Sequence, residues 1–272
     1  MSEFEFLRNL PFGQVVPGDS LVHRLDPRAR ILAFTFLLAA ILFAAHPLGL
    51  ALGLLAILVG LRLARLPLGY ALRSLLSPLP FLLILALLQV FFNALPDTPP
   101  ALRLWIFTLT PLDLLAGGML LLRFAAAILA ISFVGQVLST SEMAHGLEKL
   151  FAPLEKLKIP VHDGVMAVTV AVRFLPFLAL SAERIAKAQA SRGAQWTRVS
   201  GGLFHRVRAQ LPLLVPIFVT SLRRAETMAL AMDARGYASR ANPTSLVEMH
   251  FTPRDGLAVG LSLVLAAAVL FL

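Results

Sequence analysis

Six histidines, His23, His46, His145, His162, His205 and His250, are the first residues to weigh for chemistry, since imidazole ligates metals and moves protons near neutral pH. No two stand at i, i+4, the spacing that puts two ligands on one helix face, so no metal site is expected. The chain has no cysteine, which excludes disulfides and thiolate chemistry. Glu142, Glu148, Glu155, Glu183 and Glu226 lie mostly near basic residues, and surface pairing explains them better than acid–base catalysis. Gly201-Gly202 lacks the following Lys-Ser or Lys-Thr of a phosphate-binding loop. The chain is therefore not expected to hydrolyse ATP alone, and neither catalytic residues nor a cofactor are expected in it.

What remains is a pair of similar segments, Ala188-Gln189-Ala190-Ser191-Arg192-Gly193 and Ala231-Met232-Asp233-Ala234-Arg235-Gly236. Each reads as a helix end. Glycine is favoured just past a helix terminus, and a cation in the last turn suits the helix dipole, so one Arg-Gly carries no signal. Two copies with the same small-residue grammar admit a second reading. An arginine at the tip of a rigid helix can make bidentate contacts with a carboxylate in a partner's groove. Glycine turns the backbone away, and small neighbours such as Ala190 and Ala234 allow close approach.

The elements that position these tips are set by hydropathy. Hydrophobic residues make up 58% of 272 positions and charged residues 14%, with a mean hydropathy of +0.82. A soluble domain would carry roughly a quarter charged residues, so lipid must solvate much of this chain. Continuous apolar runs at 31–45, 48–61, 79–95, 112–138 and 256–272 approach or exceed the ~20 residues that span a bilayer as a helix. The fold class expected is all-α, a polytopic membrane protein with about five spanning helices.

Charge orients it. Arg8, Arg24, Arg28 and Arg30 precede the first run, and Arg62, Arg65 and Arg73 follow the second. The connection at Ala44-Ala45-His46-Pro47 has no fixed charge, and the one from Pro96 to Pro111 has Asp97 and Arg103. By the positive-inside rule the N-terminus is cytoplasmic. The net charge of +9 follows this pattern and lacks the aromatic interleaving of a nucleic-acid surface. Met1 to Leu10 has no apolar core and is not expected to be a signal peptide.

Fifteen of the 24 Lys and Arg residues fall between Ser139 and Arg254. The division expected is therefore a membrane domain of four spans over 1–138, cytoplasmic-side coupling helices over 139–254, and a last span over 255–272. Within the middle region Ser139-Thr140-Ser141-Glu142 caps a helix running to about Lys158. Ile159-Pro160 breaks it, and a second helix starts at His162-Asp163 and runs to Arg192-Gly193 with Pro176 inside. A third runs from about Leu211 to Arg235-Gly236. The apolar stretch Gly164 to Leu180 is read as interfacial, because crossings there and at Leu211 to Leu222 would export a strongly basic loop. Arg123, inside the fourth run, is read as snorkelling or hydrogen-bonded in packing.

Several stretches resemble the transmembrane (T) component of energy-coupling factor transporters, the family that includes the cobalt-transport permeases. They are Ser20-Leu21-Val22-His23-Arg24-Leu25-Asp26-Pro27-Arg28, Val172-Arg173-Phe174-Leu175-Pro176, the Arg192-Gly193 tail, Pro212 to Pro216, and Arg224-Ala225-Glu226 leading to Ala231 to Tyr237. One departure is Ser191-Arg192-Gly193 where the family typically has Ala-Arg-Gly; serine is nearly as small. The resemblance implies a non-catalytic scaffold in a prokaryotic inner-membrane importer for a vitamin or transition metal. Its implied partners are two ABC-type ATPase subunits, which bind ATP, and a membrane S component, which binds the substrate. Implied coupling residues are Arg192, Gly193, Arg235 and Gly236, with Ser191 and Ala234 beside them; partners also include membrane lipids and exclude nucleic acid. Two other classes were weighed. A membrane enzyme on lipid or isoprenoid substrates needs clustered acids or histidines, and a channel or secondary carrier needs polar residues in several spans.

Overall fold

The computed structural model describes residues 20–66, 68–92, 102–104, 107–109, 111–157, 161–193, 202–237 and 249–272. The Met1 to Leu10 segment, Asp97 and the Ile159-Pro160 break lie outside these. The chain divides into two compact units, Gly13–His162 with Met249–Leu272, and Met1–Phe12 with Asp163–Glu248.

The first unit contains α1 (Pro27–Phe43), α2 (Pro47–Leu63), α3 (Leu68–Leu76), α4 (Leu79–Phe92), α5 (Pro111–Val137), α6 (Thr140–Phe151) and α9 (Pro253–Phe271). A two-stranded hairpin, β1 (Leu102–Leu104) and β2 (Phe107–Leu109), joins α4 to α5, with Leu102 opposite Leu109. A 3₁₀ segment, Ala152–Leu157, extends α6. The second unit holds α7 (Val161–Ser191) from Asp163 onward and α8 (Leu203–Ala234). The fold is that of an all-α membrane protein, and the five expected spans correspond to α1, α2, α4, α5 and α9.

Their lengths differ. Among the described residues α5, α7 and α9 are long and apolar enough to cross a membrane, while α2 and α4 are apolar but shorter. At 17 residues each, α1 and α2 rise roughly 25 Å, short of a ~30 Å hydrocarbon core. The interfacial reading of α7 thus meets a helix of spanning length whose apolar window has no residue buried in the chain. Among the described residues nothing covers that window. Two further boundaries moved: α8 starts at Leu203, not near Leu211, because Pro212 and Pro216 are accommodated inside it, and α3 is a short amphipathic helix the apolar runs did not mark.

In the first unit α1 packs most extensively on α9, and α5 on α4 and α2. Ile41, Leu50, Ile57, Leu61, Phe133, Val137 and Val269 form the core, with Phe34 edge-on to Phe133 at 4.8 Å. Without water to drive association, close backbone approach does the work. A Cβ on Gly49 of α2 would collide with the Val269 carbonyl oxygen of α9, and one on Gly53 would lie 2.8 Å from Ile41.

One end of this bundle is held by polar bonds. Asp26 caps α1, its side chain accepting from the Arg28 N–H at 2.9 Å with Pro27 in the first turn. Arg30, 4% exposed, donates Nε to the Leu25 carbonyl at 2.9 Å, Nη1 to the Val137 carbonyl at 2.9 Å and Nη2 to Glu142 at 3.0 Å. Val137 is the last residue of α5, so its carbonyl has no partner within the helix. Glu142 uses its other oxygen, Oε2, to accept from the Ser139 N–H at 2.9 Å, closing a capping box on α6. Asp255 repeats the device on α9: Oδ2 accepts from the Thr252 N–H at 2.7 Å, and Oδ1 from the Asp26 N–H at 2.8 Å. Two capping boxes therefore each spend a spare carboxylate oxygen on the start of α1. It follows that α1 and α9 begin at the same end and run parallel, and that α5 ends there.

At the other end Arg123 donates to the Ala44 carbonyl at 2.6 Å, capping the C-terminus of α1. Fourteen residues separate the two arginine contacts on α1 and on α5 alike, roughly 21 Å of antiparallel packing. The packing reading of Arg123 is the one the geometry shows.

Burial pushes the Glu142 carboxyl up, but the Ser139 backbone and the Arg30 guanidinium outweigh it and hold the group below 4.5. A carboxyl lowered by folding contributes stability above its unfolded value, and this is lost as pH falls through the folded one. The Glu142 side chain is 40% exposed, so solvent screens the pair, and Glu142→Gln should cost about 1 kcal/mol at neutral pH. Thermal unfolding of the detergent-solubilised protein should show the variant and parent converging as pH drops below 4.5. Arg30→Met should cost more, because the Leu25 and Val137 carbonyls lose their donor too. Equal stabilities at neutral pH would mean the pair contributes nothing.

Candidate functional site: two arginine-tipped helix ends

Both Arg-Gly segments form helix C-termini, and the glycines explain how. Gly193 has φ +84° and Gly236 φ +72°, the left-handed region that strains any side chain. At α8 the Gly236 N–H donates to the Asp233 carbonyl at 2.8 Å and the Tyr237 N–H to the Met232 carbonyl at 3.1 Å, the two bonds of a Schellman end. At α7 the Gly193 N–H donates to the Ala190 carbonyl at 3.0 Å, the inner bond of the same motif. A Cβ on Gly193 would meet nothing within 4 Å. Backbone conformation, not crowding, requires that glycine.

The arginines are placed alike. Arg192 and Arg235 occupy the residue before the left-handed glycine, both exposed, and neither guanidinium has a partner among the described residues. Ser191 turns its hydroxyl back to the Ala188 carbonyl at 2.8 Å, and Ala234 has no polar group, so neither neighbour competes for the guanidinium. This contrasts with Arg30 and Arg123, which satisfy backbone carbonyls.

α7 and α8 run antiparallel. Near one end Gln189 donates to the Pro212 carbonyl at 3.3 Å. In the middle the Arg224 guanidinium lies 4.3 Å from the Phe177 ring centre and 5.9 Å from that of Phe174. At the other end Asp163 and Met166 line a groove with Met232 and Tyr237. Arg192 and Arg235 therefore sit at opposite ends of the pair, roughly 40 Å apart along its axis. The groove, about 470 Å³, is largely apolar, with Met166, Phe174, Met228 and Met232 in its walls.

The remaining candidates resolve into structural roles. Glu148 accepts from His162 at 2.7 Å and lies 3.5 Å from His145, and Glu183 pairs with Lys187 at 2.5 Å one turn on. Glu142, read as a surface acid, is instead the partner of buried Arg30. Its Ser139-x-x-Glu142 spacing signalled the cap but not the second bond. The same spacing at Thr252-x-x-Asp255 was available and went unread.

The sequence matches the cobalt transport protein family, CbiQ, over residues 18–246. Its relatives include the energy-coupling factor transporter transmembrane protein EcfT of Acidaminococcus fermentans, 36% identical over 98% of this chain and 97% of the relative. EcfT of Brevibacillus brevis is 37% identical over 97% and 98%, and that of Bacillus subtilis 36% over 95% and 96%. The chain belongs to this family of membrane transport proteins. It is a non-catalytic, multi-pass transport protein, and the lipid-enzyme alternative falls.

Because the glycine is structural and the arginine is exposed, the two should separate on substitution. Gly193→Ala should destabilise the end of α7 by roughly 1–2 kcal/mol through its backbone alone. Arg192→Ala should leave the thermal unfolding midpoint nearly unchanged. If Arg192→Ala destabilises as much as Gly193→Ala, the arginine belongs to the helix end and is not a free contact.

Proposed function

We propose that the chain is the scaffold of an ATP-driven importer of the energy-coupling factor type, carrying a vitamin or a transition metal. In this reading Arg192 and Arg235 each dock into a carboxylate-bearing groove on one of two ATPase subunits, with Gly193, Gly236, Ser191 and Ala234 letting each tip enter. The observation that carries it is the pair of exposed arginines, without a partner among the described residues, at opposite ends of one antiparallel helix pair. A spacing of roughly 40 Å suits two separate globular subunits better than two sites on one. The names of the relatives, transmembrane proteins of energy-coupling factor transporters, support the same assembly.

Force can pass through such a pair because α7 and α8 are long and tied to each other by Arg224 on Phe174 and Phe177. The uncovered apolar window of α7 and the methionine-rich groove supply a surface for the substrate-binding membrane subunit. ATP is held by the ATPases. The arginines before α1 and after α2 support a cytoplasmic N-terminus in a prokaryotic inner-membrane protein. The shared polar clamp supports this, since it sets the start of α1, the end of α5 and the start of α9 at one end of the bundle.

Arg192→Ala and Arg235→Ala, made separately, should each weaken ATPase retention by about 30-fold, the cost of an interfacial arginine anchor, and abolish most uptake. Expression and membrane insertion should survive. Co-purification of the ATPases and uptake by whole cells measure this; unchanged retention and uptake in both variants would sink the assignment.

A further inference from the structure

At the clamped end of the bundle two adjoining hollows of about 400 and 540 Å³ share Leu21, Arg24 and Leu63. Their walls add Arg62 and Arg65 at the end of α2 and Arg254 in the first turn of α9. Apolar atoms of Val22, Leu25 and Pro253 line the second hollow. Four arginines, Arg24, Arg62, Arg65 and Arg254, thus line the two hollows beside apolar residues. Asp26 and Asp255, which adjoin the lining in sequence, are themselves buried in helix caps. Arg62, Arg65 and Arg254 have no carboxylate partner among the described residues, and an anion there would relieve their like-charge repulsion.

Arg65 adds an independent mark. It has φ +55°, and its N–H donates to the Arg62 carbonyl at 3.0 Å while that of Leu66 donates to Leu61 at 3.1 Å. This is a Schellman end with arginine where Gly193 and Gly236 stand in the other two. A side chain there is strained, so the position holds its charge against the conformational preference of the backbone.

We propose that these hollows bind the headgroup of an anionic phospholipid, the phosphodiester held by Arg62, Arg65 and Arg254 and the first acyl carbons resting on Leu21, Leu63 and Pro253. Guanidinium forks match phosphate oxygens, and basic recesses between membrane helices recruit acidic headgroups. The apolar floor favours a lipid over a free anion, and α2 and α9 continue from the site as apolar helices. The site ties α2 to α9 through the bilayer itself.

Native mass spectrometry of the full-length protein in detergent, titrated with phosphatidylglycerol or phosphatidylcholine, tests this. Phosphatidylglycerol should be retained in preference, and retention should fall roughly fivefold in Arg65→Gly and further in Arg65→Gly with Arg254→Gln. Arg65→Gly relieves the left-handed strain, so its unfolding temperature should not drop, and it answers the question even if the double variant fails to fold. Arg73→Gln, an exposed arginine outside the hollows, should change nothing. Equal retention of both lipids, unchanged retention in Arg65→Gly, or displacement of the lipid by millimolar inorganic phosphate would overturn the proposal.

Discussion

The Arg30 guanidinium, buried between α1, α5 and α6, is the contact on which the first unit depends. Three carbonyl or carboxylate partners surround it, and each comes from a different part of the chain. A buried charge left unpaired is costly, so the arginine forces its partners into place as much as it binds them. Glu142 and Asp255 complete the pattern by each closing a helix cap with one oxygen and reaching α1 with the other. Shortening either acid to alanine would undo a cap and a tertiary tie in one step. The result is a bundle whose apolar helices pack through small residues such as Gly49 and Gly53, while their order at one end is specified by polar geometry.

The same side chain serves four different ends in this protein. Arg30 and Arg123 satisfy carbonyls that helix ends leave open, one at each end of the α1–α5 packing. Arg224 lies over two phenylalanine rings and joins α7 to α8. Arg62, Arg65 and Arg254 gather around a recess. Arg192 and Arg235 stand at exposed helix tips, each just before a left-handed glycine whose backbone bonds close the end. That difference in surroundings, more than the Arg-Gly dipeptide, supports the proposed docking role.

Much of this was legible in the residues. Continuous apolar runs placed α1, α2, α4, α5 and α9 within a few residues, because a helix that lipid solvates must be apolar along its length. Gly193 and Gly236 announced two helix ends, and the structure bears out both ends with glycine in the left-handed region. The tie between Arg30 and Glu142 was hidden, since the two are far apart in sequence and each has a sufficient local explanation, a basic flank and a helix cap. The start of α8 was misplaced because prolines at 212 and 216 read as punctuation, although the helix runs through both. For α7 charge and hydropathy point different ways: its flanking basic residues argue against export, and its apolar window is uncovered by the chain.

In the proposed function α7 and α8 act as one antiparallel lever, its two arginine tips held far apart and moved by another chain's ATP cycle. The absence of cysteine makes a direct measurement simple, because Ser191→Cys and Ala234→Cys introduce the only thiols available for spin labels. Electron–electron resonance on the labelled protein assembled with its ATPases should give a distance of roughly 40 Å that shifts when ATP is added. A separation of less than about half that length, or a distance indifferent to ATP in a complex that transports, would contradict the account.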